Sequence, residues 1–340
     1  MSDHSLAESR ANPVPSEPIQ IAVMGLGPIG QEIAQVLARK GWADLVAAVD
    51  VDPALEGRPL SEVAELDREV GVDVTPSLDV DCDVVAHATV SDLESATHQV
   101  VPHLKDGRSV VSTCEELAFP LNDRLARRLD EAGRDGGSTV LGTGINPGFL
   151  LDALPAVLTV SCQSVDHVTA SRIVNASERR GPLQEKVGAG LDLEEWRRRR
   201  DEGEIRHVGL PESARMLAAA VGWSDLTFSD EVIEPVTAPR PVTTDFVEVE
   251  EGEAAGVRHL ITGSRDGREV LRLELAMYVG AEDPGDAVKI RGVPPVDMKI
   301  RDGVHGDRAT AAVVANMVPR TVAAGPGLVT MAELPLGASL

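Results

Sequence analysis

Residues 19–41 read IQIAVMGLGPIGQEIAQVLARKG, an apolar run joined to an amphipathic one through three glycines. IQIAVMGL has the length and character of a buried strand. QEIAQVLARKG sets Ile33, Ala34, Val36 and Leu37 along a helical face and ends at Gly41. Gly25, Gly27 and Gly30 stand in G-x-G-x-x-G spacing, and Asp50 follows the next apolar run 20 residues after Gly30. Each glycine then has a separate reason. Gly25 permits the tight turn, Gly27 lets the backbone approach a pyrophosphate, and Gly30 lets helix and strand pack closely. The helix start, with Pro28 and Ile29, presents backbone N–H groups and the positive end of a dipole to an anion. A carboxylate at Asp50 accepts hydrogen bonds from both ribose hydroxyls of NAD and repels the 2′-phosphate of NADP. Arg58, close in sequence, keeps NADP open.

The pattern continues as strand and helix in alternation. ADLVAAVDVDP, DCDVVAHATV (strand at Val84 to Ala88), SVVST and STVLGTGINPG read as strands. SDLESATHQVVPHLKDG, opened by Ser91 as N-cap and closed at Gly107, and NDRLARRLDEAGRDGG read as helices. That order predicts an α/β, Rossmann-type, doubly wound parallel sheet. Beyond it, VDHVTASRIVNA and VRHLITGSRDGREVLRLELAMYVGA alternate with period two, the latter turning at Ser264 to Gly267. They predict a second α+β domain with a mixed or antiparallel sheet. The division expected is a flexible tail at 1–18, a dinucleotide-binding domain at 19–148, a substrate-binding and dimerisation domain at 149–303, and at 304–340 a C-terminal helix and tail packing back on the first domain. DLEEWRRRRDEGE is a helix with a solvated charged face. The last helix should kink or break at Pro319.

Composition narrows the function. A net charge of −23 repels nucleic acid and anionic membranes. No apolar run reaches the length of a membrane span. Three widely spaced cysteines, Cys82, Cys114 and Cys162, form neither a disulfide framework nor a zinc site and fit a reduced, cytoplasmic protein. The eight histidines show no metal-binding spacing, so no metal is expected. His87, inside a buried strand, reads as a hydrogen-bonded core residue.

Chemistry on a dinucleotide takes place at the carboxyl ends of the parallel strands. HATVSDLE brings Thr89 there as a cofactor contact. STCEELAFP brings Cys114, another cofactor contact, and the adjacent carboxylates Glu115 and Glu116. GTGINPGFLLDALP brings Asn146, the candidate for the nicotinamide carboxamide, and Phe149. Successive carboxylates point in different directions, so only one faces the nicotinamide; the alternative is that both are solvated or that one caps the next helix. A glutamate here can act as a general base and anchor an ammonium group. The loop holds no histidine or lysine of the kind that serves alcohol dehydrogenases.

STCEELAFP, GTGINPGFLLDALP, SRIVNASERRGPLQEKVGAGLDLEEW and VHGDRATAAVVANMVPRTVAAGPGLVTMAELP resemble the 2,4-diaminopentanoate dehydrogenase family, which includes the native amine dehydrogenases. The dihydrodipicolinate reductase-type Rossmann domain is the wider relative. The resemblance implies NAD(P)-dependent oxidative deamination of an amine to a ketone or aldehyde plus ammonia, and the reverse reductive amination, by a homodimer. It puts the catalytic glutamate in the CEEL loop, at Glu115 or alternatively Glu116. Phe149, Thr310, Ala311 and Val314 are candidates to line the substrate pocket. Arg172, Arg179 and Arg180 are candidates to hold a substrate carboxylate, as 2,4-diaminopentanoate itself would require. A semialdehyde or hydroxy-acid dehydrogenase and a non-catalytic NAD-binding sensor are the alternatives.

Overall fold

The computed structural model describes residues 17–179 and 181–338. The tail assigned to 1–18 lies outside these residues except for its last two, and so does Arg180. The chain forms two compact units. One runs to Phe149 and resumes at His305; the other spans Leu150–Val304.

The first unit alternates β1 (Ile19–Met24), α1 (Pro28–Ala38), β2 (Ala43–Val49), β3 (Val74–Thr75), β4 (Val84–His87), α2 (Leu93–Lys105), β5 (Ser109–Ser112), α3 (Asp123–Gly136) and β6 (Thr139–Gly142). Its sheet has the order β3-β2-β1-β4-β5-β6-β16, the last being the short strand Gly327–Val329. Every neighbouring pair is parallel. β4, β5 and β6 are buried at every residue, as strands covered on both faces must be. Val85, Val110 and Val140 share a core with Val100 and Leu104 of α2 and Leu125 and Leu129 of α3. The strand order reverses between β1 and β4, and this is where a crevice opens in such sheets.

Two local expectations need correction. The N-cap of α2 is Asp92, not Ser91. The Asp92 carboxylate accepts from Ser95 N at 2.8 Å, while the Ser91 carbonyl accepts from the Cys114 thiol. Pro319 does not end the last helix: α5 (Gly306–Val322) runs through it to Val322. The proline stands in the final turn, where it forfeits one backbone bond, and it is buried among Met317, Val318 and Thr321. α5 packs on α1 and against β4, β5 and β6.

The second unit holds β7 (Ser164–Asn175), β8 (Thr227–Phe228), β9 (Val232–Thr237), the small hairpin β10 (Val242–Thr243) and β11 (Glu248–Val249), β12 (Ala254–Arg265), β13 (Arg268–Tyr278), β14 (Gly285–Val293) and β15 (Val296–Arg301). The large sheet runs β15-β14-β7-β13-β12-β8, with β9 also on β12. β7 and β13 are parallel and the other pairs antiparallel, so the sheet is mixed. The β12–β13 turn is tighter than the sequence suggested. Ser264 and Arg265 still pair across it, leaving Asp266 and Gly267, both at positive φ, as the two-residue turn that matches strand twist. One sheet face buries Val168, Ala170, Leu271, Leu273, Val288 and Ile290 with α4 (Leu210–Ala220). On strands β7, β13 and β14 the alternate residues Thr169, Arg272, Glu274 and Lys289 remain half-buried or exposed. In the helix Leu193–Asp201, Arg198 and Arg199 bond Glu195, and Arg198 also bonds Glu202, as a solvated charged face does. Among the described residues no helix is long and apolar enough to cross a membrane.

Candidate active site

The glycine loop is shaped by contacts on two sides and open on a third. Gly25 has φ +90, and a Cβ there would lie 2.5 Å from the Ala88 carbonyl oxygen and 2.9 Å from Thr89 Cγ2. A Cβ on Gly30 would lie 1.7 Å from the Gly25 carbonyl oxygen. Gly27 is exposed, and a Cβ on it would meet nothing within 4 Å. No side chain caps α1, which starts with Pro28 at its first turn. Pro28 is exposed, Ile29 half-buried, and the uncapped turn suits an anion. Asp50, at the end of β2, braces this loop: Leu26 N donates to its Oδ2 at 2.6 Å and Asp52 N to its Oδ1 at 2.9 Å. Each carboxylate oxygen keeps a lone pair for a hydroxyl. These features fit a bound dinucleotide.

The loops after β4, β5 and β6 supply the rest. Thr89 follows β4 and lies against Gly25. After β5, Glu115–Leu117 form a single 3₁₀ turn with Cys114 at its N-cap. The two glutamates part company here. Leu93 N, at the first residue of α2, donates to Glu116 Oε2 at 2.8 Å. Glu116 therefore holds a helix N-terminus, where a carboxylate is stabilised by free N–H groups and the dipole. Glu115 is half-buried beside it. Cys114 contributes no side chain to a cofactor: it is fully buried, its Sγ lies 3.2 Å from the Ser91 carbonyl oxygen, and burial pushes its thiol up to about 12.

After β6 the chain turns through a cis Asn146–Pro147 bond. Asn146 is 8 % exposed, and its Oδ1 and Nδ2 are buried without a partner among the described residues. A primary carboxamide of nicotinamide offers the complementary donor and acceptor pair, so the orphaned amide fits that group. The Thr143 hydroxyl is also buried without a partner among the described residues, and no spacing in the sequence marks it. Thr310 braces this loop, its Oγ1 accepting from Ile145 N at 3.2 Å. Phe149 is half-buried. Val314 and Ala311, at 0 % exposure, are buried in the first unit.

Arg172 belongs to the second unit and is engaged there. Its Nη1 donates to Asp286 Oδ1 at 2.8 Å and its Nη2 to the Val304 carbonyl at 2.7 Å, with Arg172 and Asp286 both nearly inaccessible. It is a structural ion pair rather than a ready carboxylate anchor. Arg179 is half-buried, and Arg180 lies outside the described residues. No cluster of ligands for a metal ion occurs among the described residues. His87 is a core residue with every ring nitrogen bonded, and burial holds it below its ordinary value, so it is neutral. Its partners Gln99 and Ser112 were not singled out from sequence, since ordinary polar residues carry no spacing signal.

Comparison with known proteins bears on the family and the fold. The family described as "2,4-diaminopentanoate dehydrogenase C-terminal domain" matches residues 149–340. A 2,4-diaminopentanoate dehydrogenase of Acetoanaerobium sticklandii is 31% identical over 333 residues, covering 94% of this chain and 94% of that protein. An amine dehydrogenase of Streptomyces virginiae is 24% identical over 359 residues, covering 94% and 96%. The solved structure of an amine dehydrogenase from Mycobacterium smegmatis superposes with a TM-score of 0.81 at 21% identity, over 94% of this chain and 97% of that one. The chain belongs to the 2,4-diaminopentanoate dehydrogenase family of nicotinamide-dependent oxidoreductases.

Proposed function

We propose that this chain is an NAD-dependent amine dehydrogenase that interconverts an amine with a ketone or aldehyde plus ammonia. One observation carries the reading. The loops after the adjacent strands β1, β4, β5 and β6 bring the glycine loop, Thr89, the Glu115–Glu116 turn and Asn146 to the carboxyl end of a single parallel sheet. The names of the relatives supply the substrate class.

The nicotinamide, when bound, supplies or accepts the hydride. The chain's own residues do the remaining work. The glycine loop and the start of α1 hold the pyrophosphate, and Asp50 takes the ribose hydroxyls. Asn146 pairs its amide with the carboxamide. In deamination a Glu115 carboxylate oxygen accepts an N–H of the ammonium group, takes its proton, and so frees the lone pair that assists hydride departure. Glu115 passes that proton to solvent, and its carboxylate then takes a proton from the water that adds to the iminium carbon and returns it to the leaving nitrogen. In reductive amination the same oxygen steadies ammonia and the iminium by a charge-assisted hydrogen bond.

NAD is favoured over NADP because Asp50 faces the loop with both oxygens placed by backbone donors. An uncharged alkyl group on the substrate is favoured over a carboxylate because Arg172 already pairs with Asp286. We further propose a cytoplasmic homodimer joined through the second unit's sheet. The test is NADH oxidation over a panel of ketones and aldehydes at high ammonium, with 2,4-diaminopentanoate plus NAD as the competing substrate. Ammonia-dependent turnover that disappears in Glu115→Ala supports the reading. Turnover that ignores ammonia, or that survives Glu115→Ala and disappears in Glu116→Ala, overturns it.

A further inference from the structure

In the first unit an unbroken run of hydrogen bonds joins the loop after β4 to the loop after β5. Thr89 Oγ1 lies 2.8 Å from His87 Nε2 and also donates to Gln99 Oε1. His87 Nε2 is 2.8 Å from Gln99 Oε1, and His87 Nδ1 is 2.8 Å from Ser112 Oγ. Cys114 N donates to Ser112 Oγ at 3.1 Å.

The direction of the run follows from what each atom can do. Gln99 Oε1 only accepts, so the proton of the neutral ring sits on Nε2. Nδ1 then accepts from the Ser112 hydroxyl, whose oxygen in turn accepts from Cys114 N. Cys114 is the N-cap of the turn that carries Glu115, and its own side chain does not cap that turn. At the other end Thr89 lies directly on Gly25.

We propose that His87 and Ser112 are positioning residues that set the Glu115 loop by reference to the dinucleotide loop; the inference rests on the Glu115 reading above. A packing role alone does not explain these side chains. β4 is buried throughout, with Val84, Val85 and Ala86 before His87, and an apolar residue at 87 would continue the strand without burying polar atoms. Instead the polar atoms satisfy one another in sequence and lead from the cofactor's loop to the glutamate's. Burial keeps His87 neutral, so protonation does not scramble the order of donors near neutral pH. The hydrogen bond to Gln99 opposes this effect and the nearby His103 adds to it.

The experiment is a double-mutant cycle on the full chain: Thr89→Val, Ser112→Ala and both together, with Glu115→Gln as reference. Steady-state kcat, KM for NADH and the melting temperature are read for each. Both single changes remove a hydroxyl with little change of shape, and melting within a few degrees of the parent shows that each folds. We expect Ser112→Ala to lower kcat about 10-fold with KM for NADH within about two-fold, because sub-ångström misplacement of a base acts on the chemical step. The double variant should be no slower than the slower single, because both cut one chain. Multiplying effects, or a Ser112→Ala kcat within about two-fold of the parent, overturn the relay when Glu115→Gln is inactive. An active Glu115→Gln overturns the Glu115 reading and removes the relay's catalytic role with it.

Discussion

Removing either member of the Arg172–Asp286 pair should destabilise the second unit, but with different dependence on pH. Arg172 Nη1 and Asp286 Oδ1 are 2.8 Å apart, Val304 N donates to Asp286 Oδ2 at 2.8 Å, and Arg172 Nη2 donates to the Val304 carbonyl. The two residues are 4 % and 3 % exposed. Leaving one buried charge unmatched costs about 3–5 kcal/mol. For a unit of this size that lowers melting by roughly 10 °C, at a few degrees per kcal/mol. Asp286→Ala strands a guanidinium that cannot shed its proton, so its deficit should persist from pH 7.5 to pH 5. Arg172→Met strands a carboxylate instead. Burial already raises the Asp286 carboxyl above its ordinary value, and Arg172 opposes that rise. Without Arg172 the folded value climbs further. A carboxyl whose folded value exceeds its unfolded one binds more protons when folded, so the fold is penalised above the folded value and relieved as pH falls through it. The Arg172→Met deficit should therefore shrink between pH 7.5 and pH 5. Thermal unfolding followed by circular dichroism at the two pH values is the assay. An Arg172→Met protein that melts with the parent at pH 7.5, or an Asp286→Ala protein that recovers at pH 5, would refute the argument.

The glycine loop separates folding from binding: Gly27→Ala, with open space around it, should melt with the parent yet bind NADH at least about 10-fold more weakly in fluorescence titration. Gly30→Ala, whose Cβ would fall 1.7 Å from the Gly25 carbonyl, should lose about 3 kcal/mol of stability as well as binding; equal behaviour of the two variants would contradict this. Glu116→Gln should lose about 1 kcal/mol on denaturant unfolding through α2, while kcat stays within about three-fold of the parent. Of the three thiols, half-buried Cys162 should react first with an aromatic disulfide reagent at pH 8, whereas buried Cys82 and Cys114, whose thiols are pushed up by burial, should react only on unfolding.

The first unit was largely legible in its sequence because parallel strands buried on both faces are short apolar runs, and the glycine spacing has steric causes the structure shows one by one. β16 was not legible: Gly327–Val329 contributes three residues to an edge, too few for any periodicity. The hairpin of β14 and β15 was missed because its solvent-side positions carry Lys289, Arg291, Asp297 and Lys299, and its turn contains Pro294. The Asp92 cap was misassigned by one residue because Ser91 and Asp92 are both good caps and only geometry chooses between them. In the site, chemistry marked Glu115 and Glu116 as a pair, but the hydrogen bond that Glu116 accepts from Leu93 N, 23 residues away along the chain, carries no signal in sequence. Arg172 was misjudged for a like reason. A cation is visible in sequence, but its counter-ion Asp286, 114 residues on, is not.

The placement of β16 on β6, and of α5 over β4, β5 and β6, has a consequence for how the protein is made. The nucleotide-binding sheet is begun by β1 and β2 but cannot be completed until the chain beyond residue 304 has followed, after the whole second unit has been synthesised. During that interval the β6 edge and the apolar surface awaiting Ala311, Val314 and Val318 stand open to other nascent chains. A stop codon shortly after residue 304 should therefore yield an aggregating product rather than a smaller enzyme. The second unit thus behaves during synthesis as a long insertion that must fold while its host is still unfinished.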